Sequence, residues 1–356
     1  MQDHDRARNA APPTRLAIAG AGLIGRRHAA AIDRTPGVTL DAVVDPAPEG
    51  RAWAEARGIA CFDDIEALFA QRRPEGVILA TPTPLHAEQG LACVRHRCPA
   101  LIEKPLTVTA DEARPLVDAA EEAGVPLLTG HHRRHNPLIA KAREIIQKGR
   151  IGEIRAVQAT CWFYKPDHYF AAAPWRTKPG AGPISVNLVH DVDLLRHLCG
   201  EVVTVQARAT PSRRGHANED LAAALLTFEN GALGTLTVAD GIVAPWSWEF
   251  TASENPAYPA TSQSAMQIGG SHGALSIPDL TLWTHEGARD WMQPISATTT
   301  PHDSADPLDN QIAQLVAVIE GREDPLVSGR EGLRSLQVVE AIAISAASGE
   351  MVEIAP

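Results

Sequence analysis

The sequence predicts an α/β protein in two parts: a doubly wound parallel sheet, then an α+β domain with an open, mostly antiparallel sheet. In the first third of the chain, short apolar runs alternate with helical patterns, as in sheets with crossover helices. From residue 151, longer alternating runs replace that rhythm, which is typical of antiparallel strands. A length of 356 residues is enough for two domains. We expect a disordered tail over residues 1–14, a first domain over 15–130 and a second over 131–356.

The amino-acid composition is typical of a globular protein and argues against several other classes. Apolar residues make up 44% of the chain and charged residues 21%, which is ordinary for a globular protein. The net charge of −11 argues against non-specific binding to nucleic acid. No apolar stretch reaches membrane-spanning length, and the first residues form no apolar signal segment. The five cysteines show neither CxxC nor zinc spacing. We therefore expect a cytoplasmic protein with reduced thiols, no metal site and no membrane partner.

The first strand, Leu16–Ala19, runs into a glycine turn and an alanine-rich helix. The first glycine of GAGLIG allows the tight turn, the second lets backbone approach a pyrophosphate, and the third lets the helix lie close to the strand. Backbone N–H groups and the helix dipole then favour phosphate. This pattern predicts the Rossmann type of dinucleotide site. Its expected cofactor contacts are Gly20, Gly22, Leu23, Ile24 and Gly25.

A second apolar run, Val38–Val44, ends in Asp45, where a Rossmann unit places the acid for the ribose hydroxyls. A carboxylate there repels a 2′-phosphate, so the sequence favours NAD over NADP. Arg51 is the residue that could accept that phosphate instead. Further elements of this domain are predicted in alternation: helices at 49–57, 63–70, 85–95 and 111–123, and strands at 76–80, 100–102 and 125–129.

Two more segments follow strand ends, where ligands of doubly wound sheets bind. Thr81 and Pro82 begin a rigid turn that leads to His86. Glu103 and Lys104 precede a proline after the next strand. All five are expected cofactor contacts. A lysine held at this rim can also polarise a substrate, and a partly dry site can lower its pKa enough for acid/base work.

The second domain is predicted to hold strands at 154–163, 202–209, 221–228, 232–239, 248–252, 265–269 and 274–277. A helix over Ile184–Leu198 interrupts them, and two helices (309–320, 331–347) and a strand (351–354) close the chain. His190 on the interrupting helix is a candidate proton-transfer group, because imidazole titrates near neutral pH; a histidine merely bonded to Asp191 or Asp193 is the alternative. Candidate substrate contacts lie on this helix, on the loop before it and at the end of the first strand: Asn187, Arg176, Lys178 and Tyr164.

Several motifs together resemble the Gfo/Idh/MocA family of nicotinamide-dependent sugar and cyclitol oxidoreductases. They are AGAGLIGRRHA, TPTPLH, EKP, GHHRRHNP and NLVHDVDLLRHL, in that order. The resemblance implies a Rossmann domain joined to an open sheet domain that builds homodimers or homotetramers. It implies that Lys104 and His190 are the catalytic residues. Inositol dehydrogenase-like members carry an aspartate where this chain has Val186, so here Lys104 and His190 would share the proton transfer.

The expected activity is hydride transfer between NAD and a secondary alcohol of a sugar, cyclitol or related polyol. Two alternatives stay open. One is a redox-neutral enzyme that uses NAD for transient oxidation and cleaves a glycoside. The other is a non-catalytic NAD-binding regulator, against which the presence of Lys104 and His190 argues.

Overall fold

The computed structural model describes residues 12–355, and the chain divides into two compact units. The first takes the chain up to His135 together with Asp306–Leu333. The second takes Asn136–Ala305 and the chain from Arg334 onward. We predicted one unbroken second domain from residue 131, whereas in the structure the segment 306–333 groups with the first unit. Of the predicted tail, residues 1–11 lie outside the described residues, and Thr14 already begins the first strand.

The first unit is built on a six-stranded parallel sheet of order β3-β2-β1-β4-β5-β6, the doubly wound arrangement predicted. Four of its strands, at 14–19, 76–79, 100–102 and 127–129, are almost fully buried, as continuous apolar runs require. The strands are β1 (Thr14–Ala19), β2 (Val38–Val44), β3 (Ala60–Phe62), β4 (Gly76–Leu79), β5 (Ala100–Ile102) and β6 (Leu127–Thr129).

Helices connect these strands, and their ends follow local capping rules. Asp64 accepts a bond from the Ala67 amide and so begins α3 as predicted. Gly124 ends α5 in the left-handed conformation, at φ 61°. The helices are α1 (Leu23–Arg34), α2 (Pro48–Ala56), α3 (Ile65–Gln71), α4 (His86–Arg95) and α5 (Ala110–Ala123); α10 (Pro307–Ile319) also belongs to this unit.

The second unit holds a nine-stranded mixed sheet of order β14-β13-β12-β11-β7-β10-β9-β8-β15. β7 and β10 pair in parallel, and the other neighbours are antiparallel. The fold class predicted from the sequence is confirmed. The strands are β7 (Ile154–Trp162), β8 (Val202–Pro211), β9 (Glu219–Phe228), β10 (Leu233–Ala239), β11 (Met266–Gly270), β12 (Gly273–Ile277), β13 (Thr281–Thr284), β14 (Ser296–Thr299) and β15 (Val352–Glu353).

One predicted strand of this unit is wrong. Instead of a strand over 248–252, residues 248–251 form a short helix, because the amides of Phe250 and Thr251 donate to the Ser247 carbonyl. The Thr251 hydroxyl donates to the same carbonyl and reinforces the turn. The remaining helices are α6 (Pro137–Gln147), α7 (Asp167–Ala171), α8 (Val189–Cys199), α9 (Trp248–Thr251) and α11 (Gly329–Ser348). None of the helices within residues 12–355 is both long and apolar enough to cross a membrane.

Candidate active site

The three glycines of the turn after β1 have different surroundings. Gly20 has φ +92°, and a Cβ there would lie 2.5 Å from the Ala80 carbonyl oxygen. A Cβ on Gly25 would lie 1.9 Å from the Gly20 carbonyl oxygen, so only glycine lets α1 approach β1. A Cβ on Gly22 would meet nothing within 4 Å. Space is therefore left at Gly22, where a pyrophosphate would need it.

The first turn of α1 fits a dinucleotide through its backbone. Gly22 is the N-cap and has no side chain to satisfy the first amides of the helix. Leu23 points to solvent with 85% of its surface exposed, whereas Ile24 packs partly against the sheet core. The N–H groups at this helix end, rather than the side chains of Leu23 and Ile24, are what a phosphate would meet.

Asp45 stands at the end of β2 and is fixed by backbone amides. Its carboxylate accepts bonds from the amides of Ala21 at 2.7 Å and Ala47 at 2.9 Å. Gly50 on α2 lies against it, because a Cβ there would lie 2.3 Å from the carboxylate carbon. The sequence did not single out Gly50. Arg51, which could have received a 2′-phosphate, is ion-paired with Asp63.

The turn after β4 is tied to the turn after β5 by His86, which is buried. Its Nε2 lies 2.9 Å from the Thr81 carbonyl oxygen, and its Nδ1 lies 3.1 Å from that of Pro105. The Thr81 hydroxyl donates to the Gln89 side chain, and Pro82 is exposed. His86 thus joins the two turns, and its contact with the cofactor stays a prediction.

Glu103, the residue before Lys104, forms a buried pair with His28. The His28 Nε2 is 2.7 Å from a Glu103 carboxylate oxygen, and the Lys104 amide donates to the other oxygen at 3.2 Å. Burial alone would raise the pKa of Glu103, but the hydrogen bond and charge of His28, with smaller help from the charges of His132 and Lys104, lower it to about 2. The carboxylate is therefore ionised, and it anchors the backbone that carries Lys104. From the sequence, Glu103 was predicted to contact the cofactor, and no local pattern indicated His28.

Replacing His28 with leucine is expected to destabilise the protein by about 3–5 kcal/mol, because it leaves an ionised carboxylate buried without its partner. Denaturant unfolding at pH 7 measures the loss. His96→Leu is the matched control, since the exposed His96–Glu66 pair at 3.3 Å has the same chemistry without burial. Equal losses in both variants would contradict the prediction.

In the second unit, the segment that carries Asn187 and His190 begins with a π-helical turn, Ile184–Leu188, and continues as α8. We predicted one α-helix, and π-turns are frequent at functional sites. The Glu219 carboxylate accepts the Ile184 amide at 3.0 Å and fixes the start of the segment. Burial raises the pKa of Glu219. Asn187 and His190 are both buried.

The acidic and basic residues further along α8 serve its attachment to α11. Asp193 and Arg196 both bond the Ser335 hydroxyl, at 3.0 and 2.7 Å, and Arg196 also pairs with Glu201. Asp193 and Arg196 thus meet at the Ser335 hydroxyl, a partner that the sequence did not indicate.

The other predicted substrate contacts lie near α7. Arg176 stacks on the Tyr169 ring at 4.0 Å and donates to the Tyr169 carbonyl. Tyr164 is half exposed beneath Arg214, and Lys178 is exposed. The structure leaves the roles of Tyr164, Arg176 and Lys178 as predictions.

A buried lysine that was not predicted from the sequence lies beside Asn187. The Lys165 ammonium donates to the Asn187 side-chain oxygen at 2.8 Å and lies 3.7 Å from Asp240. A signal was present, because Lys165 follows a strand and precedes a proline, as Lys104 does. Within residues 12–355 no group of three or more His, Cys, Asp or Glu side chains is placed to hold a metal ion.

Comparison with known proteins agrees with this architecture. The oxidoreductase family with an NAD-binding Rossmann fold matches residues 14–131, and the GFO/IDH/MocA C-terminal domain matches residues 139–276. The chain is 29% identical to the 1,5-anhydro-D-fructose reductase of Ensifer adhaerens, over 96% of this chain and 98% of that protein. It is 28% identical to inositol 2-dehydrogenase 2 of Saccharopolyspora erythraea, over 96% of each.

A solved structure extends the similarity. The WlbA dehydrogenase of Bordetella pertussis, in complex with NADH and UDP-GlcNAcA, is 26% identical, with a TM-score of 0.77 over 97% of this chain and 99% of that one. One family model matches the N-terminal part of the chain and a second matches the C-terminal part. The relatives match over almost their whole length. The chain belongs to the Gfo/Idh/MocA family of oxidoreductases, with an NAD-binding Rossmann fold.

Proposed function

We propose that the protein is an NAD-dependent dehydrogenase or reductase that acts on a secondary alcohol of a sugar, cyclitol or related polyol. The observation that carries the proposal is the position of Lys104. It lies two residues after the end of β5, while the glycine turn directly follows β1. Because the carboxyl ends of parallel strands share one edge of the sheet, a proton-transfer lysine and a dinucleotide turn stand at the same rim. A protein that only binds NAD has no need for that lysine.

The proposed roles follow from the chemistry of the side chains. NAD, when bound, supplies the hydride acceptor or donor. Lys104 orients and polarises the substrate hydroxyl, and His190 takes its proton in the oxidation direction. Asn187, Tyr164, Arg176 and Lys178 bind other substrate oxygens. Relatives named for an anhydro sugar and for inositol support the polyol class.

An absorbance assay at 340 nm tests the proposal. Purified protein is incubated with NAD⁺ and with each of a set of sugars, cyclitols and sugar acids. NADH formation with one polyol class is expected. Stabilisation by NAD⁺ in a thermal shift, with glycoside cleavage and no net NADH, would replace the proposal by the redox-neutral alternative. Stabilisation with no reaction of either kind would favour the regulator.

Cofactor choice should depend on Asp45. Asp45→Ser is expected to reduce the preference for NAD over NADP by about tenfold, or about 1.4 kcal/mol, because it removes the charge that repels the 2′-phosphate. Dissociation constants for both nucleotides measure the ratio. Asp63→Ser is the companion variant, since it releases Arg51 and should shift the ratio in the same direction. An unchanged ratio in Asp45→Ser would contradict this role of the acid.

We also propose a cytoplasmic homodimer or homotetramer, assembled through the nine-stranded sheet. Leu233 is paired with Thr227 on one neighbouring strand and with Ala156 on the other. The row of directly paired residues that contains Leu233 continues across the sheet to Trp283. Leu233 and Trp283 are exposed at 52% and 39%. Light scattering of the protein in solution measures the number of copies, and a monomer would contradict the proposal.

A further inference from the structure

Lys165 lies three residues after the end of β7, and its ammonium group is buried. Only 6% of the residue is exposed. Its Nζ donates to the Asn187 Oδ1 at 2.8 Å, lies 3.7 Å from the Asp240 carboxylate, and sits 5.5 and 5.3 Å from the ring centroids of Phe163 and Tyr169. Lysine is almost never buried to this extent unless its charge is paired. The ammonium is thus held in one place by an amide, a carboxylate and two rings.

The direction of the bond to Asn187 fixes the orientation of its amide. An ammonium has three donors and no acceptor, so it can face only the oxygen of the asparagine side chain. The amide nitrogen, which carries two donors, must then point the other way. In the part of the chain that the structure describes, the Asn187 side chain bonds Lys165 and no other side chain or carbonyl. Asn187 therefore has two side-chain donors that no group within residues 12–355 accepts.

The positive charges of Lys165 and Arg214 lie beside the buried carboxylate of Asp240. Asp240 is also buried and pairs with Arg214 at 3.3 Å, and Arg214 donates to the Lys165 carbonyl at 2.8 Å. Burial lowers the pKa of Lys165, and the Asp240 carboxylate opposes that shift. Burial raises the pKa of Asp240, and the two cations oppose it. Other titratable groups that face Lys165 are Cys161, Tyr169, Glu219 and Glu249.

We propose that Lys165 is a positioning residue that fixes Asn187 as a hydrogen-bond donor to the reacting oxygen of the substrate. The inference rests on the proposed hydride transfer. Asn187 lies three residues before His190, and Val186 stands where the resemblance expects an aspartate. In the oxidation direction the carbon loses a hydride to the nicotinamide and the hydroxyl proton passes to His190. Asn187 neither gives nor takes a proton, and its donor stabilises the negative charge that develops on the oxygen.

Kinetics of four variants test this role: Lys165→Met, Lys165→Arg, Asn187→Ala and the double variant Lys165→Met/Asn187→Ala. Loss of one oxyanion donor costs roughly 100- to 1000-fold in kcat, and we expect Lys165→Met to cost about tenfold to 100-fold because the donor stays but is no longer fixed. The double variant should be no slower than Asn187→Ala, because Lys165 acts through Asn187. KM for NAD should not change. Lys148→Met, at an exposed lysine, is the control.

The pH profile separates positioning from a structural role. In the wild type, kcat should fall at alkaline pH as the Lys165 ammonium loses its proton, at a lower pH than an ordinary lysine would. Lys165→Arg should retain part of the activity and move that fall to higher pH, since a guanidinium stays protonated. A purely structural lysine would leave the alkaline fall where it is.

A second measurement needs no turnover. Selective ¹⁵N labelling of asparagine side chains follows the Asn187 amide directly, and Lys165→Met should shift its signals. Unchanged Asn187 signals overturn the inference, as do additive effects in the double variant or an unchanged kcat in a Lys165→Met protein that still folds and binds NAD. If Lys165→Met does not fold, Lys165→Arg carries the test. A wild type that binds NAD but oxidises no polyol overturns the proposed function, and the inference with it.

Discussion

Replacing Lys104 with alanine is expected to lower kcat by about 100- to 10,000-fold, the range that one positioned acid/base group contributes. The side chain removed is the one that we propose polarises the substrate hydroxyl. The affinity for NAD should be nearly unchanged, because the groups that would meet the pyrophosphate and ribose are the turn after β1 and Asp45. Steady-state turnover of the polyol identified by the 340 nm assay, with NAD binding followed by tryptophan fluorescence, measures both quantities.

Two controls make the Lys104 result specific. Lys148→Ala, which removes an exposed lysine paired with Glu144, should leave turnover unchanged. Glu103→Gln should lower stability more than Lys104→Ala does, since Glu103 is buried against His28. Near-normal turnover of Lys104→Ala would refute the catalytic assignment. A large loss of NAD affinity would show that Lys104 mainly binds the cofactor.

Alanine at the second and third glycines of the turn should give opposite results. Gly25→Ala forces a Cβ to 1.9 Å from the Gly20 carbonyl oxygen, a rigid backbone atom, and we expect a destabilisation of about 1–3 kcal/mol. The expected destabilisation is opposite in sign to the helix propensity of alanine, which by itself would stabilise the variant by about 1 kcal/mol. Gly22→Ala meets no protein atom within 4 Å. Its fold should be intact, while its affinity for NAD falls by about tenfold to 100-fold.

Unfolding of both variants without cofactor, together with NAD titrations, checks this pair. Each variant is the control of the other, because the chemical change is identical and only the neighbouring atoms differ. A normal NAD affinity in Gly22→Ala would show that no phosphate approaches this turn closely. Full stability in Gly25→Ala would show that α1 can shift away from β1 at little cost.

Local patterns were sufficient for most of the elements. Continuous apolar runs predicted the strands of the first sheet, with one exception: β3, of three residues, is too short to show a period. In the second unit, β13 and β14 were missed, since both are four residues long and mostly half-buried or exposed. Residues 248–252 were mistaken for a strand because a run of this length shows no difference between strand and helix.

The sequence by itself determined the glycine turn, the acid after β2 and the lysine after β5, because each depends on a local pattern. It also determined the family to which the chain belongs, through the order of five motifs along the chain. The tertiary structure alone decided the partners. His28 reaches Glu103 across 75 positions, and Asp193 reaches Ser335 across 142. Such pairs are set by which strands and helices become neighbours and by which polar atoms burial forces together. No local period in the sequence records those two conditions, and for that reason Lys165 beside Asn187 became visible only in the folded chain.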